Sequence, residues 1–270
     1  MNKYLQLFRL QNGIIGVIGI VASALIASEM KVEDHLLNIL LACIIVVTFM
    51  AGGNALNDYI DREIDKTGHP ERPIPSGRMR PKRALYAGCA TLGLAVALSV
   101  LFWELLPIVI VIVACALMLA YELVLKQRGL VGNITIAVLT GLIFLLGGAI
   151  VGNIEGTYAL VGMAILVNIG REITKDIEDV EGDEGRRTLP MAIGTKKSGI
   201  LAAAFFISGV ALSIWPLWTG MFNEYYAFII VPDAMFIYAS YILFTDPKRS
   251  QKVAKIAMLV AFVAFILGVI

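Results

Sequence analysis

The 270-residue chain is 59% hydrophobic and 16% charged, with a mean hydropathy of +0.82. A soluble domain is nearer half apolar and a quarter charged, so a water-soluble globule is excluded and hydrocarbon is part of the solvent. The net charge of +1 gives no basic surplus for nucleic acid; Cys43, Cys89 and Cys115 stand singly with no disulfide or zinc spacing, and His35 and His69 are isolated.

A bilayer core about 30 Å thick takes roughly 20 apolar residues per helix, and backbone left unpaired in lipid rules out open strands. In chain order the apolar runs predict nine helices, over 11–28, 36–57, 84–102, 105–125, 130–151, 157–174, 198–218, 225–244 and 253–270. The expected fold class is therefore all-α, a polytopic membrane protein. Lys3 and Arg9 ahead of an apolar run also fit a signal peptide, but this run has a counterpart later in the chain and is read as a retained first helix. With the N-terminus inside, all of the 22 Lys and Arg except Lys31 fall on the cytosolic side, a strong positive-inside bias. Trp103, Trp215, Trp218, Tyr225 and Tyr226 fall at the outer ends of spans as an aromatic belt. The expectation is a multi-pass protein of the cell membrane with loops 58–83 and 171–197 in the cytosol.

Those two loops resemble one another. Asp58, Asp61 and Asp65 have the spacing of Asp176, Asp179 and Asp183; Arg72-Pro-Ile-Pro75 parallels Arg187-Thr-Leu-Pro190; and Gln11-Asn-Gly13 parallels Gln127-Arg-Gly129. Three matches in order, 115 to 118 residues apart, indicate duplicated halves. An even number of spans separates the copies, so the repeats are parallel and related by an axis along the membrane normal. The whole of 1–270 reads as one domain. Its four-helix halves cover roughly 1–125 and 126–245, with an extra ninth helix at 253–270, around a central cavity.

Positions i, i+3 and i+7 share one helix face, so each acidic triplet is expected to form a stripe where its helix leaves the membrane. Like charges so close repel without a cation. Hard oxygen ligands suit magnesium, which typically takes one or two carboxylates plus substrate phosphates. Asp58, Asp61, Asp65, Asp176, Asp179 and Asp183 are thus candidate Mg2+ ligands, with Asp61, Asp65, Asp179 and Asp183 at the catalytic centre. Bases on the same side, Arg72, Arg78, Lys126, Arg171, Lys175 and Arg187, suit phosphate oxygens, and Asn54 and Asn57 add neutral groups. A single acidic triplet in a loop is ordinarily just solvated; two copies at matching helix ends, each followed by Arg-x-aliphatic-Pro, favour a site. The glycine pairs read as close helix packing. Asp233, inside the eighth span, is a lone intramembrane acid and so a candidate in its own right.

Asn57-Asp58-x-x-Asp61-x-x-x-Asp65 resembles the first signature of the UbiA-type intramembrane prenyltransferases, and Lys175-Asp176-Ile-Glu-Asp179-Val-Glu-Gly-Asp183 resembles the second. The resemblance runs over nearly the whole chain. It implies Mg2+-dependent transfer of an isoprenyl group from its diphosphate to a lipophilic acceptor within the membrane. Within the family, the run from Lys175 to Pro190 is most similar to the archaeal digeranylgeranylglyceryl phosphate synthases, which implies geranylgeranyl diphosphate as donor and geranylgeranylglyceryl phosphate as acceptor. Many members carry Tyr-x-x-x-Lys after the fourth helix; here four residues separate Tyr121 from Lys126, a departure from that spacing, and their substrate-binding roles follow from the resemblance. An aromatic acceptor, as in quinone synthesis, would use the same motifs. A transporter would place its acids nearer the midplane, and a lipid diphosphate phosphatase would release inorganic phosphate.

Overall fold

The computed structural model describes residues 2–180 and 188–270. Among them every regular element is helical. In chain order these are α1 (Lys3–Phe8), α2 (Leu10–Ala27), α3 (Leu36–Ile60), α4 (Asp65–Gly68), α5 (Pro81–Ser99), α6 (Leu105–Leu123), α7 (Leu130–Ala149), α8 (Tyr158–Asp179), α9 (Leu189–Ile193), α10 (Thr195–Thr219), α11 (Ile230–Ile242) and α12 (Pro247–Val269). Local chemistry sets the ends. Pro81 and Pro247 open α5 and α12, where the missing N–H costs nothing. The Asp246 carboxylate accepts from the Arg249 backbone N–H at 2.9 Å as an N-cap. Gly220 takes φ 65° to close α10.

Among the described residues, seven helical stretches are long and apolar enough to cross a membrane. The first and sixth expected spans fall short of that measure for different reasons. The apolar part of α2 is only Gly13–Ala27, and α8 carries Arg171, Glu172, Lys175, Asp176, Glu178 and Asp179 in its last turns. The eighth span begins not as an α-helix but as a 3-10 turn over Glu224–Ile229, capped by the Asn223 side chain, and Pro232 follows in the first turn of α11. Gly13 and Gly129, matched in sequence, differ in conformation: Gly13 lies inside α2, whereas Gly129 precedes α7 at φ 52°.

The helices close on one another through small residues, since Leu against Leu gains nothing over lipid. The most extensive packing joins α3 to α5 and α8 to α10. A Cβ on Gly88 of α5 would fall 2.8 Å from Leu56 and 3.2 Å from the Gly52 carbonyl oxygen of α3. One on Gly170 of α8 would fall 2.9 Å from the Ala202 carbonyl oxygen of α10. Backbone cannot yield as a side chain can, so Gly170→Ala is expected to lose about 1–3 kcal/mol of stability, read as a lower thermal midpoint in detergent.

The two ends of the bundle differ. Trp103, Trp218 and Tyr225 are exposed at one end, as a belt requires. Tyr226 corrects the expectation: it is fully buried, its ring tilted against those of Phe222 and Phe265, and its hydroxyl donates to the Ser213 carbonyl at 3.3 Å. The acidic motifs and most bases lie at the other end.

Candidate active site

Where α3, α6 and α8 end and α7 begins, a cavity of about 550 Å³ opens. Its wall includes Asp61 and Asp65 from the first motif and Asp176 and Asp179 from the second, so the two sequence copies meet at one site. Asn57, Arg72, Tyr121, Lys126 and Lys175 line the same space.

The first motif does not stay on one continuous helix. α3 ends at Ile60, Asp61 takes the C-cap position, and Asp65 starts the short α4. The expected stripe is therefore broken. Asp61 and Asp65 face the cavity, while Asp58 is 1% exposed, absent from the cavity wall, and gripped by Arg9, with Arg72 at 3.6 Å. Asp58 thus stands behind the cavity wall, against Arg9 and Arg72, which line it. In the second motif α8 runs unbroken to Asp179, and Asp176 and Asp179 sit three residues apart on it.

Cations neutralise the buried carboxylates. Lys126 Nζ lies 2.6 Å from Asp61 and 2.9 Å from Glu122, and all three side chains are nearly inaccessible to solvent. The Asn57 amide donates to Asp61 at 3.0 Å and to Glu122 at 3.3 Å. A single nitrogen of Arg72, Nη1, donates to both Asp65 oxygens, at 2.7 and 2.6 Å, and the guanidinium can donate to phosphate in the same way. Across the cavity the Asn133 amide donates to Asp176 at 2.9 Å. Among the described residues, no three metal-ligating side chains converge on one point. The donor set is instead hard carboxylate oxygens from the two motifs, facing a shared space wide enough for a polyphosphate. That fits a cation of the magnesium type, which is held by a few carboxylates together with phosphate oxygens.

The remaining sequence candidates fall elsewhere. The Asn54 amide donates to the Phe8 carbonyl at 3.0 Å, fastening α1 to α3. Arg78 donates to Gln6 Oε1 at 2.7 Å and to Ser76, fastening the loop. Arg171 pairs with Glu172 and donates to Asn168 at 3.3 Å, outside the cavity wall. Asp183 and Arg187 lie outside the described residues. Asp233 has a partner after all: Ser213 Oγ donates to its Oδ2 at 2.6 Å, joining α10 to α11 away from the cavity.

Sequence reading missed Arg9, Asn133 and Glu122. Arg9 and Asn133 line the cavity, and Glu122 anchors Lys126 and Asn57 from behind. Glu122 left a signal, an acid four residues before a lysine at the end of an apolar helix. Asn133 left none.

The pattern of the UbiA prenyltransferase family matches residues 16–266. The chain is 36% identical to digeranylgeranylglyceryl phosphate synthase of Methanosphaera stadtmanae over 99% of both chains. It is similar to a solved structure of digeranylgeranylglyceryl phosphate synthase in membranes, with a TM-score of 0.85 and 33% identity over 99% of this chain and 97% of that one. It also shares its fold with a UbiA homolog from Archaeoglobus fulgidus bound to DMAPP and Mg2+, with a TM-score of 0.72 and 16% identity over 98% and 99% of the two chains. With its helices apolar enough to span a bilayer and its two acidic motifs facing one cavity, this chain is an integral membrane protein that belongs to the UbiA prenyltransferase family.

Proposed function

We propose that the protein transfers a geranylgeranyl group from geranylgeranyl diphosphate to the free hydroxyl of geranylgeranylglyceryl phosphate, forming an ether bond and releasing diphosphate. The observation that carries this is end-to-end similarity to synthases of that name, combined with a cavity whose acids and bases match a metal-bound diphosphate. Nine spans in two parallel halves, 1–125 and 126–245, followed by 253–270, form one domain, with the N-terminus and the cavity mouth on the cytosolic side of the cell membrane. The charge asymmetry of the loops supports that orientation.

In this reading Asp61, Asp65, Asp176 and Asp179, with Asp183, hold Mg2+ when the diphosphate is present, and the metal supplies Lewis acidity at the leaving group. Lys126 and Arg72, paired with Asp61 and Asp65 before substrate arrives, turn to the phosphate oxygens as those carboxylates take up other partners. Lys175 and Arg9 add positive charge at the rim. Negative charge grows on the diphosphate as the allylic C1–O bond breaks, so cations held ready there stabilise the transition state more than the ground state. The acceptor hydroxyl oxygen then bonds to C1 as its proton passes to a cavity aspartate or to the departing diphosphate. The apolar helices keep water from the allylic centre.

The test is purified protein in detergent with geranylgeranyl diphosphate and Mg2+, offered geranylgeranylglyceryl phosphate or 4-hydroxybenzoate, with products read by mass spectrometry. The diether phosphate is expected, and chelation with EDTA is expected to abolish it and to weaken donor binding. A prenylated benzoate instead would keep the chemistry and overturn the acceptor.

A further inference from the structure

Two apolar slots, each about 30 Å³, lie within the bundle away from the polar cavity. One runs between α3, α6 and α7; the other is lined from α7, α8, α11 and α12. Seven of the ten residues in each wall correspond by position. Ile45, Val46 and Phe49 of α3 stand 118 residues before Met163, Ala164 and Val167 of α8, the same offset that separates the acidic motifs. Leu139, Leu142, Ile143 and Leu146 of α7 stand 119 residues before Met258, Ala261, Phe262 and Phe265 of α12. Toward α8 and α11, α12 therefore takes the place that α7 takes toward α3 and α6, and the ninth expected span repeats the fifth.

Each slot also has the same relation to the chemistry. Phe49 precedes Asp61 by 12 residues, and Val167 precedes Asp179 by 12. At 1.5 Å per helical residue that places each slot about 18 Å from its acidic motif, on the same helix. The reaction proposed above joins two molecules that each carry a long prenyl tail.

The correspondence breaks at one level. One turn from the second slot, toward the acidic motifs, stand Arg171, four residues after Val167, and Lys255, three before Met258. Lys255 is within electrostatic reach of Arg171 and Lys175, as well as of Glu172 and Glu178. The positions that correspond in the first slot are Gly53 and Ile136, neither of them charged. A charged pair beside an apolar slot suits a ligand with a tail and a phosphate that is not the one held at the acidic motifs. Arg171 is already paired with Glu172, and Lys255 beside it is an exposed point charge of the kind that meets a phosphate.

The geometry points to a division of labour: the α8–α11–α12 slot seats the prenyl tail of the phosphate-bearing acceptor, with Arg171 and Lys255 on its phosphate, and the α3–α6–α7 slot seats the tail of the donor. This assignment rests on the proposed reaction. The slots are narrow as they stand, so seating a tail requires rotation of lining side chains such as Phe262 and Phe49.

The test uses the full chain in detergent, with donors and acceptors whose tails carry three or four isoprene units. Ala261→Phe, which narrows the second slot, is expected to raise KM for the four-unit acceptor and spare the three-unit one, with donor preference unchanged. Ala114→Phe in the first slot is expected to do the same to donors and leave acceptors alone. Lys255→Gln is expected to raise acceptor KM about tenfold, the loss of one charge-assisted hydrogen bond, with donor KM unchanged. Phe262→Ala, which widens the second slot, is the control should Ala261→Phe fail to fold, and is expected to relax acceptor tail length alone. The assignment is overturned if both slots act on the same substrate, if neither slot alters tail preference, or if Lys255→Gln raises donor KM equally. Failure of the reaction itself is distinguishable: wild-type protein would then make no ether from any prenylated glycerol phosphate, while equilibrium binding of labelled donor would still show whether Ala114→Phe, and not Ala261→Phe, discriminates against the longer tail.

Discussion

Asp61→Asn is expected to lower kcat by about 10³-fold, the upper range for removing one preorganised electrostatic group, in protein that still folds. Asparagine keeps the size of the side chain but removes its charge and one acceptor oxygen. Lys126 donates to Asp61 Oδ1 at 2.6 Å and the Asn57 amide to Oδ2 at 3.0 Å, so the new amide nitrogen confronts one of these two donors. Asp179→Asn should show a comparable loss, because it faces the same cavity from the second motif. Asp58→Asn is the informative contrast. Asp58 is absent from the cavity wall and held by Arg9, so its substitution should lower the thermal midpoint more than it lowers turnover. Steady-state kinetics beside thermal unfolding in the same detergent checks all three, and equal loss of turnover in Asp58→Asn and Asp61→Asn would refute the separation of roles.

Lys126→Met should damage both stability and turnover. Asp61 and Glu122 are each 4% exposed and share Lys126 as a counter-ion. Methionine preserves the chain length and leaves two buried carboxylates facing each other without a cation, a change that typically costs about 3–5 kcal/mol. Adding Glu122→Gln removes one of those charges, so the double variant Lys126→Met/Glu122→Gln is expected to recover much of the stability while remaining inactive. Recovery of turnover along with stability would mean that Lys126 acts only as a structural counter-ion. The cycle separates the two roles because the stability contribution depends on pairing with Glu122, and the catalytic one depends on a cation facing the diphosphate.

Much of this protein was legible in its residues alone. Long apolar runs in a chain this poor in charge demand helices in lipid, because no other arrangement satisfies the backbone there, and α3, α5, α6, α7 and α10 stand close to where hydropathy places them. Spacing and repetition singled out the aspartates, and Asp61, Asp65, Asp176 and Asp179 do share one cavity. What periodicity could not determine is where a helix stops. α3 ends at Ile60, which turns Asp58 inward and Asp65 into the site, whereas α8 continues through its motif. Nor does a one-dimensional pattern tell which polar groups meet: Arg9 with Asp58, Lys126 with Asp61, and Asn133 with Asp176 are contacts between residues 43 to 65 positions apart. Burial of such groups without partners is too costly to persist, so the packing of neighbouring helices, and not the local sequence, selected the pairs. The tertiary structure likewise decided the correspondence of α12 with α7, because apolar residues diverge freely so long as volume and patterning are kept, and only their shared position along two slots shows that they do the same job.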